Sequence, residues 1–165
     1  ISVSKQGYET VEESFSTSNE LDKINELPLV MTKELNKLIM IENGVMKIKI
    51  DNIYFDLNKA DIRPDAAQEL NKIVEVMKEY PKMVIKIEAH TDARGSDRYN
   101  ENLSDRRAKS TRNYIISQGI EAYRMESAIG YGEKQLLNNC SNGVKCSNEE
   151  HDINRRSEFI IVKLD

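Results

Sequence analysis

The spacing of apolar residues changes twice between residues 46 and 90, and this change constrains the fold more than any other feature of the chain. Apolar and polar residues alternate through residues 46–50 and again through residues 83–89, which is the period of a half-buried strand. Between these stretches the apolar residues recur at helical spacing, at Ala67, Leu70, Ile73, Val74 and Met77. Pro64 suits the first turn of this helix and Pro81 ends it. The sequence therefore predicts a strand, a helix and a second strand.

A second helix is indicated further along the chain. Ser96 is a favourable N-cap for it and Gly119 a favourable stop, with Leu103, Tyr114 and Ile115 expected to face the core. A short strand, a turn at "GYGE", a cysteine loop and a final strand at "SEFIIVKL" follow. This order predicts an α/β (α+β) two-layer sandwich, a βαβαβ-loop-β fold with a mixed sheet packed on two main helices.

The start of the first strand region holds one irregularity. Ile53 and Phe55 continue the alternation that begins at residue 46, but with the opposite parity. We therefore expect a bulge or a strand break near Asp51 and Asn52.

Residues 1–44 stand apart from this pattern, because their apolar residues follow no sustained period. We interpret them as an N-terminal extension or linker and residues 45–165 as the main domain, since 165 residues have room for one core of typical size. Within the extension, "VSKQGYETVEESF" suggests two short strands around Gly7. This stretch resembles the last strands of the β-sandwich units called carboxypeptidase regulatory-like domains, which would make the extension the tail of such a domain.

The composition is that of a globular protein, with 32% charged residues, 39% hydrophobic residues and a net charge of -4. No apolar run approaches the roughly 18 to 20 residues of a membrane span, so we expect membrane association only through parts outside this chain. The basic residues between positions 94 and 112 are interleaved with Asp97, Glu101 and Asp105. Because no continuous basic stripe remains, we expect no nucleic-acid partner.

The two cysteines, Cys140 and Cys146, lie in a polar loop with a glycine at a turn position between them. This arrangement favours a disulfide, which would contribute roughly 2 kcal/mol and would indicate an oxidising compartment. Unpaired thiols, or zinc ligation together with His151, are the alternatives. Three ligands without a CxxC pair match structural zinc sites poorly, so we expect neither a metal nor another cofactor.

The stretch "HTDARGSDRYNENLSDRRA" is dense in charge. Asp92 follows a strand at its carboxyl end, and Arg107 lies on the inner margin of the next helix, where an unpaired charge is costly. The two residues form either an ordinary salt bridge or a pair that receives a ligand, and their spacing is compatible with both. A metal-hydrolase site of His90, Asp92 and His151 is a weaker alternative, because the histidines lie in unrelated segments. His90 is better interpreted as a structural hydrogen-bonding residue at the strand end.

Four motifs stand in the order and approximate spacing of a known family: "NIYFDLNKADIRPDA", "IEAHTDARGSDRYNENLSDRRA", "GYGE" and "NRRSEF". From Asn52 to the C-terminus the chain resembles the OmpA-like C-terminal domain, the module shared by OmpA, the peptidoglycan-associated lipoprotein and MotB. The resemblance implies a binding protein rather than an enzyme, with peptidoglycan as the partner and the meso-diaminopimelate residue of the stem peptide as the ligand. It also implies a periplasmic location, attached to the outer membrane of a Gram-negative bacterium.

The resemblance assigns roles to single residues. Asp92 would bind the ammonium group of diaminopimelate, and Arg107 the carboxylate on the same carbon. Leu57 and Asn58 would contribute backbone amides. The residues implied at the wall or rim of the pocket are Thr91, Arg94, Asn100, Leu103 and Arg156. For Arg156 the alternative is pairing with local acids, which would fix the last strand.

Two functions follow from these expectations. The first is a tether between an outer-membrane-associated protein or complex and the cell wall. The alternative is that the fold serves as a protein–protein module in an envelope secretion or motility machine.

Overall fold

The computed structural model of the chain describes residues 2–3, 11–12 and 37–164. Two compact units are present, Ile1–Lys37 and Leu38–Asp165. In the first unit, strands β1 (Ser2–Val3) and β2 (Val11–Glu12) pair antiparallel, as the prediction of two short strands around Gly7 requires. The rest of the predicted extension before residue 37 lies outside the described residues. The resemblance of the extension to a carboxypeptidase regulatory-like domain therefore stays a prediction.

The second unit is built on a five-stranded mixed sheet with the strand order β3-β4-β7-β5-β6. Its strands are β3 (Ile39–Glu42), β4 (Val45–Ile48), β5 (Val84–His90), β6 (Met125–Gly132) and β7 (Ser157–Lys163). Strands β5 and β6 run parallel, and the other neighbouring pairs run antiparallel. The α-helices are α1 (Pro64–Glu79), α2 (Asp97–Ser117) and α3 (Asn148–Asn154). The predicted two-layer α/β sandwich with a mixed sheet is confirmed.

A hairpin that the apolar spacing does not predict forms one edge of the sheet. Strands β3 and β4 pair with Glu42 opposite Val45, and Asn43 and Gly44 make the turn with φ angles of 51° and 78°. Positive φ at both central residues is typical of the preferred two-residue hairpin turn. The predicted domain boundary between residues 44 and 45 thus falls inside this hairpin, whose first strand belongs to the second unit.

Of the two irregularities expected near Asp51 and Asn52, the structure shows the strand break. Strand β4 ends at Ile48, and residues 49–63 contain neither helix nor strand. Ile53 and Phe55 therefore lie in a long loop that leads to α1. That loop supplies one wall of the site described below.

Both main helices lie where they are predicted. Helix α1 starts at Pro64, and its core face is the predicted one with two differences: Ala66 is buried rather than Ala67, and Val76 is buried as well. Helix α2 follows the N-cap Ser96, and Leu103 is buried against the core. Tyr114 of α2 is only half-buried. None of the helices in the described ranges is long and apolar enough to cross a membrane.

Helix α2 approaches β6 very closely at the glycines of "GYGE". A Cβ atom on Gly130 would lie 1.9 Å from the backbone nitrogen of Asp105. The Gly132 amide donates to Ser104 Oγ at 2.8 Å, which ties the same strand to the helix. The expected turn at "GYGE" is wrong, because its first three residues complete β6. The lack of side chains at Gly130 and Gly132 lets α2 lie against the sheet, and this fixes the helix relative to the end of β5.

The cysteine loop is closed by the favoured disulfide between Cys140 and Cys146, with a Cα–Cα distance of 5.9 Å. Unpaired thiols and zinc ligation are therefore wrong. Helix α3 follows directly, and its start is a capping box: the Ser147 side chain accepts from the Glu150 amide, and the Glu150 side chain accepts from the Ser147 amide.

Candidate functional site

An open pocket of about 380 Å³ lies beyond the carboxyl end of β5. It is lined by every residue that the resemblance assigns to ligand binding: Leu57, Asn58, Thr91, Asp92, Arg94, Asn100, Leu103, Arg107 and Arg156. These residues come from the loop before α1, the segment after β5, helix α2 and the segment before β7. The fold thus assembles the pocket from segments that are distant in sequence.

Among the described residues that line the pocket, Asp92 alone carries a carboxylate. Its side chain is only 8% exposed. Oδ1 accepts from the backbone nitrogen of Arg94 at 2.9 Å and from Arg94 Nε at 3.2 Å, while Oδ2 accepts from Arg94 Nη2 at 2.9 Å and from Arg155 Nη1 at 2.5 Å. Burial acts to raise the pKa of Asp92, but the hydrogen bonds outweigh it and lower the pKa to about 2. Asp92 is therefore ionised at neutral pH.

Arg107 supplies a half-buried positive charge to the same pocket. Its Nε donates to the carbonyl oxygen of Lys59 at 3.0 Å and its Nη2 to that of Asp56 at 3.3 Å. The guanidinium carbon lies 4.9 Å from the centre of the Phe55 ring. Burial lowers the pKa of Arg107, although an arginine stays protonated in proteins. Within residues 37–164 Arg107 forms no ion pair, so its charge can still receive an anion.

Asp92 and Arg107 do not pair with each other. The ion pairs of Asp92 are with Arg94 and Arg155. The interpretation of Asp92 and Arg107 as one ordinary salt bridge is therefore wrong. The pocket presents an ionised acid and a guanidinium as separate groups.

Arg155 donates to Asp92, whereas the motif "NRRSEF" predicted its neighbour Arg156 as the site residue. Arg156 lines the pocket, but its Nε donates to Glu158 Oε1 at 2.7 Å, which is the alternative structural role expected for it. Arg155 pairs with Asp92 and also with Asp152. The doubled arginine is the signal in the sequence, but two adjacent residues just before a strand give no indication of which side chain enters the pocket.

The loop that carries Leu57 and Asn58 is held from two sides. Arg107 donates to its backbone, as described above, and the Tyr99 hydroxyl donates to Asn58 Oδ1 at 2.5 Å. Asn58 has a φ of 61°, a left-handed conformation that asparagine tolerates better than most residues. The Leu57 side chain is 87% exposed at the pocket mouth. Tyr99 also lines the pocket and was not singled out by the sequence motifs.

The remaining predicted residues form the pocket wall. Asn100 is buried, and its Nδ2 donates to the Asp92 carbonyl oxygen at 3.2 Å, which fixes the backbone beside the acid. Leu103 is buried and supplies an apolar surface. Thr91 is buried, and its hydroxyl has no hydrogen-bond partner among the described residues.

His90 is buried directly before the site, but its ring does not play the expected hydrogen-bonding part. Neither ring nitrogen has a hydrogen-bond partner among the residues that the structure describes, and the ring stacks on Tyr131 with centroids 5.6 Å apart. Burial, reinforced by the charge of Arg156, lowers the pKa of His90 to about 4. His90 is thus a neutral packing residue at neutral pH.

The proposed metal cluster does not form. In the described part of the chain, the group of potential metal ligands that lie near one another is Cys140, Cys146 and Glu150. The two cysteines of that group are bonded to each other. His90, Asp92 and His151 form no such group, so the metal-hydrolase interpretation has no site among these residues.

Comparisons with known proteins identify a family and several relatives. The profile of the OmpA family matches residues 54–150. The peptidoglycan-associated lipoprotein of Agrobacterium fabrum is 36% identical over 111 residues, which cover 67% of this chain and 59% of that protein. Outer membrane porin F of Pseudomonas aeruginosa is 30% identical over 139 residues, covering 84% of this chain and 37% of that protein. The chain spans between 14% and 59% of the length of the first curated relatives that it matches.

Solved structures share the fold. The cell wall anchor of the T6SS from Pseudomonas aeruginosa superimposes with a TM-score of 0.57 at 21% sequence identity, over 76% of this chain and 88% of that one.

Proposed function

The chain belongs to the OmpA family, and from that premise we propose that its folded domain binds peptidoglycan through the meso-diaminopimelate residue of the stem peptide. Arg107 carries the proposal, because it is a half-buried guanidinium without an ion-pair partner among the described residues. The free end of diaminopimelate bears an ammonium and a carboxylate on one carbon. A guanidinium binds a carboxylate with two parallel hydrogen bonds, and an ionised acid binds the ammonium. In this proposal Arg107 binds the carboxylate and Asp92 the ammonium.

The other lining residues complete the proposed site. In this proposal backbone amides of Leu57 and Asn58 donate to the ligand from the loop, and Thr91 forms part of the wall beside Asp92. The residues proposed to shape the wall and rim are Arg94, Asn100, Leu103 and Arg156. As in the family's peptidoglycan-associated lipoproteins, the domain is a binding module and not an enzyme.

We further propose that the domain works in the periplasm, where it tethers an outer-membrane-associated protein or complex to the cell wall. The disulfide Cys140–Cys146 supports an oxidising compartment. The names of the relatives place them in the envelope, as a peptidoglycan-associated lipoprotein and an outer membrane porin.

Co-sedimentation with purified sacculi tests the proposal. Wild type should sediment with diaminopimelate-type peptidoglycan, and Asp92→Asn and Arg107→Gln should each weaken binding by about 2 to 4 kcal/mol, because a charge-assisted contact is lost. Arg98→Gln is the matched control, since Arg98 is exposed on α2 and does not line the pocket. Retention of both site variants at the wild-type level would place the ligand elsewhere.

The choice of peptidoglycan separates the alternatives. Lysine-type peptidoglycan offers the amine without the neighbouring carboxylate, so Arg107 should cause discrimination against it; equal binding of both types would contradict the assigned pairing. If sacculi of neither type retain the wild-type domain, the protein–protein module in an envelope machine becomes the better function.

A further inference from the structure

We infer that Arg94 is an intramolecular competitor of the ligand, whose guanidinium occupies the place on Asp92 that the ligand's ammonium takes. This builds on the proposed function of the pocket and adds a step to it: ligand entry is an exchange of one cation for another. In the structure the Arg94 guanidinium occupies this place on Asp92.

The acceptor positions of Asp92 are already filled. A carboxylate offers about four lone-pair positions. Arg94 takes three of the hydrogen bonds described above, through its backbone nitrogen, Nε and Nη2, and Arg155 Nη1 takes the fourth. An ammonium group can therefore bind Asp92 only if one of these donors leaves.

Arg94 is the donor that can leave at least cost. Arg155 is held by a second carboxylate, Asp152, and its side chain is 29% exposed. The Arg94 side chain is 51% exposed, and its other contact is a hydrogen bond from Nη1 to Asn148 Oδ1 at 3.0 Å. When the Arg94 guanidinium moves out into solvent, its backbone nitrogen still holds Asp92 Oδ1. The acid then keeps its orientation, Arg155 stays on Oδ2, and one acceptor position on each carboxylate oxygen becomes free.

The exchange gives the pocket a requirement for positive charge. Asp92 is buried, so removing Arg94 without a replacement leaves Arg155 as its remaining ion-pair partner and one charge fewer beside the acid, which is unfavourable. A ligand with an ammonium restores that charge, and a neutral ligand does not. The Arg94 contact also lowers the apparent affinity for the ligand, because the ligand binds only the fraction of molecules in which Arg94 has left Asp92. Half of the Arg94 side chain is exposed, so we give this ion pair the strength of a surface pair, which amounts to about two- to fivefold.

Calorimetric titration with the soluble tripeptide L-alanyl-γ-D-glutamyl-meso-diaminopimelate tests the inference. Arg94→Gln removes the competing guanidinium and should tighten binding about two- to fivefold relative to wild type. Misfolding cannot produce such a gain. Arg98→Gln, the same change at an exposed position outside the pocket, should leave the affinity unchanged. Weaker or unchanged binding by Arg94→Gln would overturn the competitor role and make Arg94 an ordinary rim residue.

Two further measurements sharpen the result. Asn148→Ala removes the second contact of Arg94 and should tighten binding by a smaller factor; a loss of affinity would count against the exchange. Acetylation of the distal amine of the tripeptide should abolish the advantage of Arg94→Gln, and a persisting advantage would show that ammonium binding is not what Arg94 opposes.

If wild type does not bind the tripeptide, or binds it without Asp92 and Arg107, the proposed function fails together with the inference. If wild-type binding depends on both residues but Arg94→Gln is no tighter, the inference alone fails.

Discussion

The two ends of strand β5 each hold an arginine that donates to backbone carbonyls, but the two arginines differ in what surrounds them. At the amino end of β5, Arg124 is 3% exposed. It donates to the carbonyl oxygens of Met83, Met77 and Tyr80 at 2.9, 2.6 and 2.7 Å. Beyond its carboxyl end, Arg107 contacts two carbonyl oxygens and also lines an open pocket.

This difference separates stability from binding. The donors of Arg124 join the end of α1 to the start of β5, and solvent is excluded from them. Near the pocket the ring nitrogens of His90 and the hydroxyl of Thr91 have no hydrogen-bond partner among the described residues. The pocket end also keeps a guanidinium, that of Arg107, without an ion-pair partner among the described residues, and this charge is open to a ligand.

Substituting Arg124 and Arg107 one at a time should give the largest difference between an effect on stability and an effect on binding. Arg124→Met should lower the free energy of unfolding by about 3 kcal/mol, since it leaves buried carbonyl groups without donors. Arg107→Met should lower it by only about 1 kcal/mol, because the site is open to water, but should weaken sacculus binding by about 2 to 4 kcal/mol. Urea unfolding and co-sedimentation of the same preparations check both. Similar losses of stability from the two substitutions would remove the distinction between the ends.

The pocket end should also respond to acid, through His90. The unfolded chain protonates this ring near its ordinary pKa of 6.5, whereas burial lowers the folded pKa to about 4. The folded state therefore excludes a proton that the unfolded state binds, and stability should fall by about 2 to 3 kcal/mol as the pH drops from about 6.5 to about 4. Asp92, with its pKa lowered to about 2, should lose its contribution only at lower pH, between about 3.8 and 2.

His90→Phe keeps an aromatic ring against Tyr131 and removes the titrating group. Urea unfolding between pH 7 and pH 4 should show a shallower loss of stability for this variant than for wild type. A pH dependence equal to that of wild type would assign the acid sensitivity to another residue.

A smaller effect on stability is expected from the disulfide beside the pocket. Replacing Cys140 and Cys146 by serine should lower the free energy of unfolding by about 2 kcal/mol, because the open loop gains conformational entropy in the unfolded chain. Thermal unfolding of the double variant under non-reducing conditions measures it. An unchanged midpoint would mean that the contacts of α3 hold the loop without the crosslink.

The elements that could be predicted from the sequence are those with a long apolar repeat and a clear stop. Helix α1 has both, with Pro64 at its first position and an apolar face over four turns, and β5 has a clean alternation. The short elements were missed although their end signals are present. Asn43 and Gly44 mark the hairpin turn, and Ser147 with Glu150 marks the start of α3, but neither element is long enough to show a period.

The candidate site could be predicted as a set of positions but not as a set of contacts. The motifs identify Asp92, Arg107 and the other lining residues, and the fold gathers them in one pocket. Which arginine pairs with Asp92 depends on how α3 and the start of β7 lie against the end of β5. Arg155 reaches the acid from 63 positions away, and no local pattern encodes such a contact.

Strand β7 lies in the middle of the sheet, between β4 and β5, although it follows them both in the chain. While the polypeptide is being synthesised, β4 has β3 as its neighbour and β5 can pair with β6, but the two pairs have nothing to join them. Each presents an unpaired strand edge during that interval. Neither the sheet nor the Arg155 contact to Asp92 can form until the last of these strands has left the ribosome. A nascent chain stalled before β7 would therefore have the charges of the site but no pocket to hold them.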